Sequence, residues 1–336
     1  RLNCLSKTQS TQLLFKLLEI ETLPHNARKM IVQKAEGNPF YLEEIMRSLI
    51  DRQCIEHDAS TGRWRATPHI ETIIIPDTIQ GMIMSRVDCL DEELKQLIQN
   101  ASVIGQSFLY RILHSIEQRV QILDRSLNAL KEMEFIREKQ RIPELEYVFK
   151  HALVQESIYE SILLQKRREI HARVAQAMET LFCSRLEEFY SLLAHHYVRA
   201  KIWEKAQEYL MKAGDVAGSI SADAEALDNY QQALDTYQKL FKDRCERLEM
   251  ASLYRKIGEA FLRRGEHNQA IEYLQQALTH LEKSLPATQW RVRLAIFKEI
   301  LLQITHRLFQ SLFIKPNNEA QSQEFLEESR LYEALL

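Results

Sequence analysis

The stretch YRKIGEAFLRRGEHNQAIEYLQQA, Tyr254–Ala277, decides most of the fold. It sets Tyr254, Ile257, Gly258 and Phe261, then Ala270, Leu274 and Ala277, at the bulky, small and aromatic positions of a 34-residue helix-turn-helix repeat. Two helices of such a unit cross closely only where side chains are small, and neighbouring large residues fill the space between units. An earlier copy shows in Ala194, Tyr197, Ala206, Leu210 and Ala213, and Asp223 to Leu240 supplies a further second-helix pattern through Ala226, Tyr230 and Ala233. Ala206, Gly258, Ala270 and Ala277 are therefore packing residues, and bulky replacements should cost roughly 1–3 kcal/mol each by overpacking. Glu319 to Leu336 reads as the first helix of one more repeat.

The rest of the composition agrees with helices. Among 336 residues there are only 8 glycines and 7 prolines, so turn formers are scarce. Apolar residues at 45% and charged residues at 27% place the chain among folded globular proteins and away from disorder. A net charge of -3 provides no general basic field for nucleic acid. The five cysteines, Cys4, Cys54, Cys89, Cys183 and Cys245, form no CxxC or Cys/His cluster, which favours reduced thiols, a cytoplasmic setting and no structural zinc. No apolar run reaches the ~18 residues a membrane span needs. The chain begins at Arg1, and we expect it to be part of a longer polypeptide.

Along the first half, Ser6 to Gln9 fits a capping box that opens a helix with Leu13, Leu14, Leu17 and Leu18 on one face. Leu23-Pro24 interrupts it before a second short helix through Ile31. At Gly37-Asn38-Pro39 the pattern breaks again: asparagine caps, proline is tolerated at the first helical position, and Leu42, Ile45, Met46, Leu49 and Ile50 follow at helical spacing. Asp51 to Thr72 reads as a hairpin-like connection centred on Asp58 to Gly62. Two helices follow, one through Ile79 to Leu90 and one through Leu94 to Ile104 closed by Gly105, then amphipathic segments over Phe108 to Ile116 and Leu123 to Phe135. Phe135 to Glu138 and Leu145 to Phe149 alternate around Pro143 as an antiparallel hairpin, and helices packed on one small hairpin suggest a winged helix. The expected organisation is three parts: residues 1–72, 73–183 and 184–336.

The order of an EGNPFYLEE turn at Glu36–Glu44, IPDTIQGMIMSRVDCL, ASVIGQSF, the segment YVFKHALVQESIYESILLQKRREIHARV and the 34-residue repeats resembles the STAND class of signal-transducing P-loop ATPases. The likeness is to the region following the ATPase core in predicted ATPases fused to adenylate cyclases or kinases. It implies a mainly α chain made of an ATPase helical lid, a winged helix with a small hairpin, and a solenoid of tetratricopeptide-like helix pairs. It also implies that Asn38 and Pro39 line a half-site for the adenine and ribose of ATP or ADP, the proline shaping the turn. His151, in FKHAL, aligns with the histidine of the Met-His-Asp motif in NB-ARC relatives, which reaches the phosphates of ADP; Ala152 stands where those relatives carry Asp. The partners implied are the P-loop core of the same polypeptide and a protein or inducer on the solenoid. On the tripeptide alone, Gly37-Asn38-Pro39 reads first as a capped helix start, and a histidine opening a helix is more often a cap or surface residue.

Catalytic patterns are missing from the sequence. No G-x-x-x-x-G-K-[ST] loop occurs, and no apolar strand ends in paired acids to hold magnesium, so this segment should bind no nucleotide or metal by itself and hydrolyse nothing alone. Glu43-Glu44 and Asp91-Glu92-Glu93 read as acids in opening helical turns, where they offset the positive end of the dipole. His195-His196 and His280 lack a second ligand at metal spacing and read as solvated or core histidines. Lys166-Arg167-Arg168, with His171 and Arg173, either contacts DNA phosphates or forms a solvated or interdomain face. The recognition-helix candidate Leu123–Glu132 is not notably basic, which disfavours DNA.

Overall fold

The computed structural model describes residues 4–18, 20–58, 63–71, 75–117, 122–241, 246–283 and 319–335. The chain is mainly helical and divides into two compact units, Arg1–Leu181 and Phe182–Leu336.

The first unit opens with α1 (Lys7–Leu18), whose capping box forms in both directions: Ser6 N–H donates to Gln9 Oε1 at 2.9 Å and Gln9 N–H to Ser6 Oγ at 3.2 Å. Leu14 is buried, but Leu17 is exposed, so the inward stripe is narrower than four leucines suggest. A three-residue strand β1 (Ile20–Thr22) follows, unannounced by any period, and then α2 (His25–Ala35), which runs four residues past the expected end. α3 (Pro39–Asp51) begins as its sequence dictates, with Asn38 at the N-cap and Pro39 at N1. β2 (Ile55–Asp58) and β3 (Arg63–Ala66) pair antiparallel, and β1 joins β3 in parallel. The hairpin is present, while its expected centre at 59–62 lies outside the described residues. Ile31, Leu42, Ile45, Leu49, Ile55 and Ile70 form the core of this part together with Met82. That methionine belongs to α4 (Ile79–Val87), so α1 to α3 and the next segment share one apolar cluster.

α5 (Glu92–Ile104) is capped by Asp91, whose side chain accepts the Leu94 N–H at 2.8 Å; Glu92 and Glu93 do lie in its first turn, and Gly105 is its C-cap. Next come β4 (Ser107–Leu109), α6 (Tyr110–Ile116), α7 (Leu123–Glu132), β5 (Ile136–Gln140) and β6 (Glu146–Phe149). Phe108 was expected in a helical segment and stands instead in β4, paired with Tyr147; three residues carry too little pattern to declare a strand. The sheet order is β4-β6-β5, antiparallel throughout, with Ile136 opposite Phe149. α8 (Ala152–Ser161) and α9 (Leu164–Leu181) close the unit by packing on α5.

In the second unit, α10 (Tyr190–Ala200) packs on α11 (Trp203–Ser219), α11 on α12 (Asp223–Phe241), and α13 (Arg247–Arg263) on α14 (His267–His280). Ala194, Ala206, Ala226, Ala233, Ala270 and Ala277 are all buried. A Cβ added at Gly258 would stand 2.7 Å from Leu274 Cγ and 3.3 Å from the Ala270 carbonyl oxygen, the close crossing read from the sequence. α15 (Glu319–Leu335) packs on α13 and α14, with Leu331 inside their apolar cluster and Glu327 taking Arg255 Nε at 2.7 Å.

Candidate functional site

Glu36 and Gly37 both take positive φ, 48° and 77°, ending α2 and turning the chain straight into α3. Gly37 is required there twice over. The left-handed conformation favours it, and a Cβ would meet the Leu5 carbonyl oxygen at 2.3 Å. Leu5 N–H also donates to the Gly37 carbonyl at 2.8 Å, so the segment ahead of α1 buttresses the turn. Asn38 Oδ1 accepts from the N–H groups of Phe40 at 3.0 Å and Tyr41 at 3.3 Å, leaving its amide NH2 as the group to offer outward. Asn38 is half-buried and Pro39 exposed.

His151 occupies the N-cap of α8, yet its side chain makes no capping bond. It meets the turn instead: the Phe40 and His151 rings lie 4.1 Å apart between centroids, tilted by 47°. Nε2 of His151 is buried and without a hydrogen-bond partner in the structure. Burial lowers the imidazole below its ordinary value of 6.5; Glu43 and Glu44 pull it up, Lys150 and Arg47 push it down, and the net direction is down.

Charged groups surround this contact in two layers. Outside, Glu43 Oε1 accepts from Arg47 Nη2 at 2.7 Å and Lys150 Nζ at 2.9 Å, Lys150 also reaches Glu134 at 2.5 Å, and Arg47 pairs with Glu134. Burial raises the Glu43 carboxyl, but the hydrogen bonds and charges of Lys150 and Arg47 outweigh it and hold the group below its usual range. Inside, Arg86 is fully enclosed: Nη1 donates to Glu44 at 2.7 Å, Nε to Asp51 at 2.8 Å and Nη2 to the Met133 carbonyl at 2.7 Å, with the guanidinium 4.5 Å above the Phe135 ring. This corrects the reading of Glu43 and Glu44. α3 starts at Pro39, so both fall beyond its first turn, which holds no acid, and their role is pairing: Glu44 to α4, and Glu43 to Arg47 and to Lys150 at the β6–α8 junction.

Lys150 and Arg86 were missed by sequence reasoning. Lys150 adjoins the candidate histidine, a weak signal, whereas nothing local marks Arg86, whose partner Glu44 lies 42 positions away. A separate depression on the exposed side of α2, lined by Lys29, Gln33, Lys34, Glu36 and Asp77 among others, takes in none of Asn38, Pro39 and His151.

Most of the basic cluster is engaged within the unit. Arg167 Nη2 donates to the carbonyls of Glu160 and Ile162, each at 3.0 Å, Lys166 to Gln99 at 3.1 Å, Arg173 to Asn100 at 3.3 Å, and His171 meets the Tyr159 hydroxyl at 3.1 Å. These groups tie the ends of α8 and α6 to α9 and α5. His196 is buried, His195 is exposed, and His280 stacks on Tyr254 at 5.1 Å. Among the described residues no three His, Cys, Asp or Glu side chains converge as metal ligands, and no helix is long and apolar enough to cross a membrane. Cys4, Cys54, Cys89 and Cys183 are free thiols; Cys245 lies outside the described residues.

Residues 220–283 match the tetratricopeptide repeat family. The chain is 26% identical over 222 residues, 65% of its length, to the uncharacterized protein R02095 of Rhizobium meliloti, and that alignment spans only 21% of the relative. Among solved structures, a Signal Transduction ATPase with Numerous Domains (STAND) protein with a tetratricopeptide repeat sensor from Pyrococcus horikoshii aligns over 83% of this chain and 54% of its own, at 15% identity and a TM-score of 0.33. The second unit of this chain thus carries tetratricopeptide-like repeats.

Proposed function

We propose that this chain is the regulatory and sensing portion of a STAND-type ATPase, coupling the nucleotide state of a P-loop core to partner binding by the repeats. One observation carries the reading: Phe40, in the turn that would face the base, and His151, the candidate phosphate contact, pack ring on ring although far apart in sequence. The lone buried Nε2 beside Lys150 and Arg47 suits an anionic oxygen, and the exposed Pro39 with the outward Asn38 amide suits a base and ribose. ATP or ADP would supply the difference between states, because only unequal affinity for two arrangements shifts their balance. Hydrolysis, on this reading, is the work of another part of the polypeptide, and β4-β6-β5 with α5 to α7 is a winged helix that serves as lever and not as a DNA reader.

The repeats would take a protein partner, the common use of such stacks. Fluorescent ADP titrated into the polypeptide extended through a P-loop core tests the nucleotide arm. Pro39→Ala and His151→Ala should each weaken binding, and unchanged affinity in both removes Asn38, Pro39 and His151 from the site. The repeat match by itself also favours a second reading, a passive interaction scaffold, which predicts partner binding indifferent to nucleotide.

A further inference from the structure

The backbone of Phe40 is held where its ring can reach His151. Pro39 fixes the φ before it, its own N–H is held by Asn38 Oδ1 at 3.0 Å, and as the second residue of α3 it projects where the Gly37 turn aims it. What it meets is an imidazole with an unpaired, buried Nε2, a state that is costly when nothing satisfies it. We propose that Phe40 is a positioning residue for His151: its ring covers the imidazole, fixes its orientation and shields Nε2 from water, so that the Gly37–Phe40 turn and His151 move as one part.

The surrounding charges leave that role to the ring. From α3, Glu43 is already bound by Arg47 and Lys150, and Glu44 by Arg86; Lys150 itself precedes His151, and Glu134 of the α7–β5 corner is bound by Lys150 and Arg47. Glu43 and Glu44 still raise the imidazole through space, but burial with Lys150 and Arg47 outweighs them, and their hydrogen bonds go to these cations and Arg86 and not to His151. The positive end of α8, whose N-cap His151 occupies, also disfavours an imidazolium. The contact stands independently of any nucleotide. Only its consequence, that a base moving the turn would uncover or reseat the histidine, rests on the function proposed above.

The test is NMR titration of the histidine side chains in the 336-residue chain, with His151 assigned by the signal lost in His151→Gln. In the native chain the His151 ring protons should be displaced by the Phe40 ring current and titrate below 6.5. Phe40→Leu keeps an apolar cover, so the midpoint stays low while the displacement vanishes; Phe40→Ala opens the imidazole and moves the midpoint back up. Native signals at exposed-histidine positions with an ordinary midpoint overturn the inference, as does a Phe40→Ala chain that titrates like the native one. If Phe40→Ala moves the titration while His151→Ala leaves ADP affinity of the extended polypeptide unchanged, positioning survives and the nucleotide role fails.

Discussion

Replacing Arg86 by methionine should be among the most damaging single changes in the first unit. The guanidinium is about 1% exposed and its partner Glu44 about 2%, so removing the cation strands a carboxylate in the interior and takes the donor from the Met133 carbonyl. Breaking one side of a buried pair costs about 3–5 kcal/mol. Little of that comes from lost volume, since a methionine stem follows the arginine stem and Phe135 is an apolar neighbour. The double change Arg86→Met with Glu44→Leu removes both charges and should recover to within about 1–2 kcal/mol of the native chain, because an apolar pair of similar size often replaces a buried ion pair at little cost. Asp51 stays partly solvated in either case. Urea-dependent hydrogen exchange on peptides from α3 and α4 reads this unit separately from the repeats. An Arg86→Met chain within about 1 kcal/mol of native, or a double variant no better than the single, would refute the reasoning.

Two glycines on α11 should respond in opposite directions to alanine. A Cβ at Gly214 would stand 2.4–2.9 Å from three atoms of the Tyr230 ring, which is pinned through its hydroxyl to Asp215 at 2.7 Å, so overpacking of about 1–3 kcal/mol outweighs a helix-propensity gain of about 1. At Gly218 the nearest atom is Nη2 of Arg263, the far end of a long side chain paired through Nε with Asp223, at 3.3 Å, so a shift of a few tenths of an ångström suffices and Gly218→Ala should stabilise; melting of the second unit should shift down for the first and up for the second, and equal signs would count against the packing. Glu43 is held below its ordinary 4.5, so its contribution is complete above that value and disappears as pH falls through its lowered folded pKa. Glu43→Gln should therefore lose stability at pH 7 but not once the native group is protonated, and a loss equal at both pH values rules out the ion ring as its source. His151 has the opposite acid–base chemistry with the same slope: with a lowered pKa the unfolded chain takes its proton first, so stability is full above 6.5 and erodes as pH drops below it. His151→Gln should flatten that part of the pH profile, as measured by urea midpoints between pH 7.5 and 5.

Legibility followed distance along the chain. The Ser6–Gln9 box, the Asn38 cap with Pro39 at N1 and the Ile136–Phe149 hairpin are local devices whose residues name their own partners, and each appears where the sequence puts it. The repeat alanines and Gly258 were readable because a close crossing demands small side chains at fixed spacing. β1 and β4 were not readable, since three residues carry no period and their strands are made by partners far away, Trp64 and Tyr147. Of the candidate site, Asn38, Pro39 and His151 could be named in advance, but not that Phe40 would join them, nor that Glu43 and Glu44 look sideways to Lys150 at the β6–α8 junction and to α4 instead of along the dipole of α3.

That sideways pairing has a mechanical consequence. α3 carries the Asn38–Phe40 turn at one end and is fastened along its length by two unequal layers. The outer layer, Glu43, Arg47, Lys150 and Glu134, is part-exposed, and each such pair contributes about 0–1 kcal/mol. The inner layer, Glu44, Arg86 and the Met133 carbonyl, cannot lose a member without the several kcal/mol estimated above. A ligand that displaces Pro39 and Phe40 can thus exchange the outer partners at small expense while Arg86 keeps α3, α4 and the α7–β5 corner moving together. On these magnitudes α3 is held by a soft outer clasp and a fixed inner pin. Comparing Glu43→Gln with Arg86→Met measures the two separately, and equal costs would remove the distinction.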